Sequence, residues 1–76
     1  MKRVDFIIAE VFHISPDEVA DHLGPQQVLE WDSLGQLKLI LALEKEFGVK
    51  FDISEMFEIL TIGDIKRILE RKGVVL

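Results

Sequence analysis

Trp31-Asp32-Ser33-Leu34-Gly35-Gln36-Leu37-Lys38-Leu39-Ile40-Leu41-Ala42-Leu43-Glu44-Lys45-Glu46-Phe47-Gly48 carries the strongest structural signal in the chain. Asp32 is a favoured residue at a helix start, because its carboxylate accepts from the free N–H groups of the first turn. Leu34, Leu37, Ile40, Leu41 and Phe47 recur at helical spacing along one side, and Leu39 and Leu43 join them in a broad apolar stripe. Gly48 follows Phe47 and is a natural helix stop. The preceding Gln26 to Trp31 reads as loop.

Toward the N-terminus, Val4, Ile7, Ile8, Val11 and Phe12 predict a first helix over about Arg3 to Phe12. Ser15-Pro16-Asp17-Glu18 resembles a capping box with proline at the first helical position. It opens only a short turn, because His22-Leu23-Gly24-Pro25 soon breaks the pattern. Toward the C-terminus, Asp52-Ile53-Ser54-Glu55 is a second capping box, leading one or two turns through about Ile59. Thr61-Ile62-Gly63-Asp64 caps a last helix with apolar face Ile62, Ile65, Ile68 and Leu69, ended by Gly73. No stretch alternates like a strand over more than four or five residues. The expected fold is all-α: a four-helix bundle of three longer helices and a short third one. Leu41, Leu43, Phe47, Ile59 and Ile62 are the expected core residues, filling the space rather than lining a cavity.

At 76 residues the chain is expected to form a single domain over 1–76. A core this small is marginal and encloses a catalytic pocket with difficulty. Nine Lys and Arg against fourteen Asp and Glu give a net charge of −5, which disfavours nucleic acid as a partner. Residues 1–32 carry seven acids and two bases, whereas residues 61–76 carry two acids and four bases. Such polarity is either a solvated face or an acidic end offered to a basic partner. With no cysteine, neither a disulfide nor a thiolate zinc site is available. Met1-Lys2-Arg3-Val4 opens like a signal peptide, but Asp5 and Glu10 interrupt the apolar run that should follow. The longest apolar run, Leu39 to Leu43, is far short of the roughly 20 residues of a membrane helix. The expectation is a cytoplasmic protein that binds no membrane.

Catalytic constellations are missing. His13 and His22 lie outside any metal-ligand spacing, so no metal site is expected. No phosphate-cradling glycine loop is present, and Asp32 and Ser33, being adjacent, cannot form a relay without a placed histidine. What remains is Ser33, exposed at a loop–helix junction. There Asp32 either simply caps the helix or helps prepare an anion site, since the unpaired N–H groups and the macrodipole favour a phosphate on Ser33.

The chain resembles the acyl carrier protein family, whose members carry 4′-phosphopantetheine on the serine of an Asp-Ser-Leu triplet opening the second helix. The resemblance rests on Asp32-Ser33-Leu34, on Ala42-Leu43-Glu44-Lys45-Glu46-Phe47, and on Thr61-Ile62-Gly63-Asp64, and it spans essentially the whole chain. It implies that Ser33 bears the cofactor through a phosphodiester, taken from coenzyme A by a phosphopantetheinyl transferase. It also implies that Asp32 assists that transferase or its metal, and that Leu34 contacts partner enzymes. The arm's thiol would hold an acyl or aminoacyl group for a loading enzyme and downstream biosynthetic enzymes. The protein itself would catalyse nothing and would act as a monomer.

The departures from the family pattern are informative. Fatty-acid-type carriers usually place acids along the exposed face of the second helix, where this chain has Gly35 and Lys38, and Lys45 after Glu44. Their third helix is commonly acidic, whereas Met56-Phe57 stands here. Trp31, near the arm, occupies a position where smaller residues are frequent, and either marks the site or pins the loop to the core. At about 100° per residue, Gly35, Lys38, Lys45 and Glu46 are expected on one polar side of the helix. Gly35, Lys38, Met56 and Phe57 therefore join Asp32 and Leu34 as expected recognition residues. These features imply a specialised carrier whose partner docks through a less basic, more apolar surface. The alternatives are an armless helical protein–protein interaction module of the same fold and, disfavoured by charge, a helix-turn-helix DNA binder.

Overall fold

A computed structural model describes residues 2–76; Met1, the start of the basic opening, lies outside them. Four α-helices follow in order: α1 (Arg3–Phe12), α2 (Ser33–Phe47), α3 (Ile53–Glu58) and α4 (Ile62–Arg71), with a single 3₁₀ turn at Pro16–Glu18. The helix starts follow the capping chemistry. Glu18 accepts from the Ser15 N–H at 2.8 Å, and Glu55 from the Asp52 N–H at 2.8 Å. Asp64 and Thr61 cap α4 reciprocally, Oδ2 of Asp64 accepting from the N–H groups of Leu60 at 2.9 Å and Thr61 at 3.0 Å. The ends are equally local: Gly48 closes α2 in the left-handed region at φ 65°, and His13 does the same for α1 at φ 55°.

The core lies where three helices meet. Val4, Ile8 and Phe12 of α1, Leu39, Ile40 and Leu43 of α2, and Ile62, Ile65, Ile68 and Leu69 of α4 are buried. Val28, Trp31, Phe51 and Ile59 complete it from the connections. The expectation for Leu43, Ile59 and Ile62 holds; Phe47 is half-buried and packs against the core. Leu41 does not belong there, being 55% exposed, and Leu34 and Leu37 are exposed with it. Eight apolar residues spread around α2 leave several possible inward arcs. The helix turns Gly35, Leu39, Ile40 and Leu43 inward, and the other leucines face solvent.

The long connection between α1 and α2 is tied at both ends. The N–H groups of Ile62 and Gly63, orphans of the first turn of α4, donate to the carbonyls of Leu23 and Asp21, each at 2.9 Å. Lys66 of α4 reaches Asp21 of this loop at 2.8 Å and Asp5 of α1 at 3.1 Å. Burial pulls the Lys66 ammonium down, but its hydrogen bonds to Asp21 and Asp5 outweigh that and raise it overall. The connection is thereby held as a fixed strap, and its last residues set up the start of α2.

Candidate functional site

Ser33 is the first residue of α2 and is exposed. Before it, Asp32 is extended (φ −100°, ψ −168°), and its Oδ1 accepts from the Gly35 N–H at 2.7 Å. The Asp32 carbonyl accepts from the Gln36 N–H at 2.8 Å and starts the helical ladder. Among the described residues, the N–H groups of Ser33 and Leu34 find no acceptor. An exposed hydroxyl thus stands beside two free donors at the positive end of a 15-residue helix. The adjacent Asp32 carboxylate is engaged in its capping bond.

Trp31 positions this start from below. It is 4% exposed and stacks on Phe12, with ring centroids 5.1 Å apart at 28°. Its indole Nε1 donates to Gln36 Oε1 at 2.6 Å, joining the loop to the first turn of α2. The sequence left two roles open for Trp31; the packing assigns it the anchoring one, while one edge of the ring still borders the groove beside Ser33. That groove is open, about 550 Å³, and runs between the start of α2 and α3. Met56, Phe57, Ile53 and Ile59 form its apolar side. Met56 is half-buried against the core, and Phe57 is 82% exposed.

The expected recognition set does not hold together as one polar side. Asp32, Leu34 and Lys38 are exposed near Ser33, and Phe57 stands across the groove. Gly35 is buried: the backbone of Glu30 occupies the place a side chain would take. Glu46 is taken up in an ion pair with Arg3 of α1. The sequence contained a signal for Gly35, because a glycine inside a helix costs about 1 kcal/mol and often marks close backbone approach. Leu37 and Leu41, whose stripe was expected to face inward, are surface residues that sequence reasoning missed. No set of three or more His, Asp or Glu side chains converges as a metal site among the described residues.

The family described as phosphopantetheine attachment site matches residues 2–69. The chain is similar to the acyl carrier protein of Bradyrhizobium sp. (strain ORS 278), 34% identical over 72 residues, covering 95% of this chain and 91% of that one. The acyl carrier protein of Nitrobacter hamburgensis gives the same identity and coverage, 34% over 72 residues, 95% and 91%. That of Thermosynechococcus vestitus is 31% identical over 72 residues, covering 95% of this chain and 89% of its own.

Proposed function

The chain belongs to the phosphopantetheine attachment site family, that of the acyl carrier proteins, and from this premise we propose that Ser33 carries the arm. As a member of that family the protein is a carrier, not a catalyst, served by a phosphopantetheinyl transferase and by acyl-processing enzymes. The observation that carries the Ser33 assignment is its exposed hydroxyl beside the two unpaired N–H groups of α2. A phosphodiester there gains both donors and the helix field. Asp32 holds the turn that aims the serine outward, and Leu34 offers an adjacent apolar contact to a docking enzyme. When bound, phosphopantetheine supplies the thiol that a cysteine-free chain lacks and holds an acyl group as a thioester. The groove bordered by Trp31, Met56 and Phe57 gives the arm an apolar wall to lie along.

The finer reading is a specialised carrier, holding an acyl or aminoacyl group outside general fatty acid synthesis. Its support is the exposed Lys38 and Lys45 on α2 and the exposed Phe57 on α3. The whole chain, 1–76, acts as one carrier domain, a cytoplasmic monomer that uses neither nucleic acid nor membrane. No described helix is long and apolar enough to cross a membrane.

The test is loading. Coenzyme A, magnesium and a broad-specificity transferase should add one phosphopantetheine by intact mass, and Ser33→Ala should abolish the gain. An unchanged wild-type mass, with a control carrier fully modified, would point to the armless interaction module instead.

A further inference from the structure

The outward side of α2 has an unusual composition for so acidic a chain. Leu34, Leu37, Lys38, Leu41 and Lys45 are all exposed. At about 100° per residue they fall within an arc of about 100°, opposite the buried Leu39 and Leu43. Both α2 glutamates are engaged elsewhere: Glu46 pairs with Arg3, and Glu44 accepts from the Phe51 N–H at 2.8 Å. Asp32 is held in its capping bond. Among the described residues Lys38 and Lys45, like Lys2 and Lys50 elsewhere, have no ion-pair partner, whereas Arg3, Lys66, Arg67, Arg71 and Lys72 all have one. The face is therefore three leucines and two free ammonium groups, with its first leucine adjacent to Ser33.

We infer that this face docks partner enzymes whose carrier-binding surface is apolar and carries carboxylates. The inference rests on the carrier reading above and names the chemistry of its partner. Charge complementarity selects the occupant. A basic docking surface would meet two unpaired lysines and be repelled, while partner carboxylates spaced to match Lys38 and Lys45, seven residues apart along the helix, would each be paired. A second copy of the chain is disfavoured, because packing this face on itself sets lysines against lysines. Leu34, Leu37 and Leu41 supply the desolvated centre and the lysines the rim, the usual anatomy of an interface. One helix face buries less than the roughly 800 Å² per partner of a stable complex, which suits a carrier that must leave after each visit.

The experiment is an NMR titration of the unmodified, ¹⁵N-labelled protein, which needs no arm. One probe is a bacterial ketosynthase with a basic carrier-docking surface; the other is that enzyme with those basic side chains replaced by glutamate. Wild type should bind the acidic form at least fivefold more tightly, with the amides of α2 shifting. Lys38→Glu/Lys45→Glu should reverse the preference, Lys38→Gln/Lys45→Gln should remove it, and 0.5 M salt should flatten both. Equal binding, or preference for the basic form, would overturn the inference. So would lysine-dependent sedimentation with phosphatidylglycerol vesicles, which would assign the face to a lipid surface, or a lysine-independent dimer by light scattering. Failure of the carrier reading appears separately, as absence of the mass gain at Ser33.

Discussion

Gly35 lies hard against Glu30: a Cβ built on Gly35 would stand 1.9 Å from the Glu30 carbonyl oxygen. The loop reverses direction immediately before α2 and crosses the first turn, so one position of that turn must have no side chain. The constraint lies two residues from Ser33 and fixes how the loop presents the serine.

The first prediction reverses the rule of helix propensity. Replacing glycine by alanine inside a helix ordinarily stabilises by about 1 kcal/mol. Gly35→Ala should instead destabilise by about 1–3 kcal/mol, because the overlap is with backbone and the loop must shift. Urea melts decide the sign. Gly35→Asp should be at least as damaging, and is unsuitable as a surface-charge variant.

Trp31 gives the second. Trp31→Ala removes the stack on Phe12 and a large buried area, and should cost about 3–5 kcal/mol. Trp31→Phe keeps much of the stack while leaving Gln36 without its indole donor, and should cost about 1 kcal/mol. Circular dichroism should rank the two in that order; equal small losses would show that the loop is not anchored through this ring.

The third separates the cap from the core. Asp32→Ala should cost about 1 kcal/mol, and Asp32→Asn much less, since asparagine caps comparably. Leu43→Ala, fully buried on α2, should cost about 2–5 kcal/mol. Phe47→Ala should fall between Asp32→Ala and Leu43→Ala, because Phe47 is only half-buried. Chemical denaturation monitored by the Trp31 fluorescence provides the ranking.

The fourth concerns acid. The backbone N–H of Leu60 is the chief cause holding the Asp64 carboxyl below its ordinary 3.8, with help from Thr61 and Arg67 despite partial burial. The Asp52 N–H and then Lys72 hold Glu55 below its ordinary 4.5, and the hydrogen bond from Lys66 holds Asp21 below 3.8. Each depressed carboxylate contributes stability above its unfolded pKa that is lost as pH falls through the lower folded value. The unfolded chain takes up protons first, so melting temperature should drop progressively from about pH 4.5 downward. Asp64→Asn should melt lower than wild type at pH 6 and show a flatter acid limb. Lys66, raised, works in the opposite direction: its contribution is present below 10.5 and fades as pH rises through its higher folded value.

Local chemistry made most of the helices readable. Asp32, Asp52 and Thr61 act within four residues of themselves, and so do Gly48 and Gly73 at the ends, so their effects need no distant contact. Ser33 was legible for the same reason, since a serine following a cap residue is placed by the helix it begins. The expected stripe on α2 failed at Leu34, Leu37 and Leu41 because leucine is equally apolar inside and outside. The inward arc is chosen by where α1 and α4 press, and within α2 only Gly35 marks it.

Residue order alone was enough for an all-α chain, its helix boundaries, a serine at the head of the longest helix and the absence of any thiol of its own. These follow from short-range hydrogen bonding, backbone preference and composition. Packing is what buries Gly35 under Glu30, anchors Trp31 on Phe12 and leaves Lys38 and Lys45 unpaired among exposed leucines. Those outcomes depend on how the loop folds back on α2 and on which parts of the chain meet in the packed bundle. The ion pair of Arg3 with Glu46, 43 residues apart along the chain, is the clearest instance.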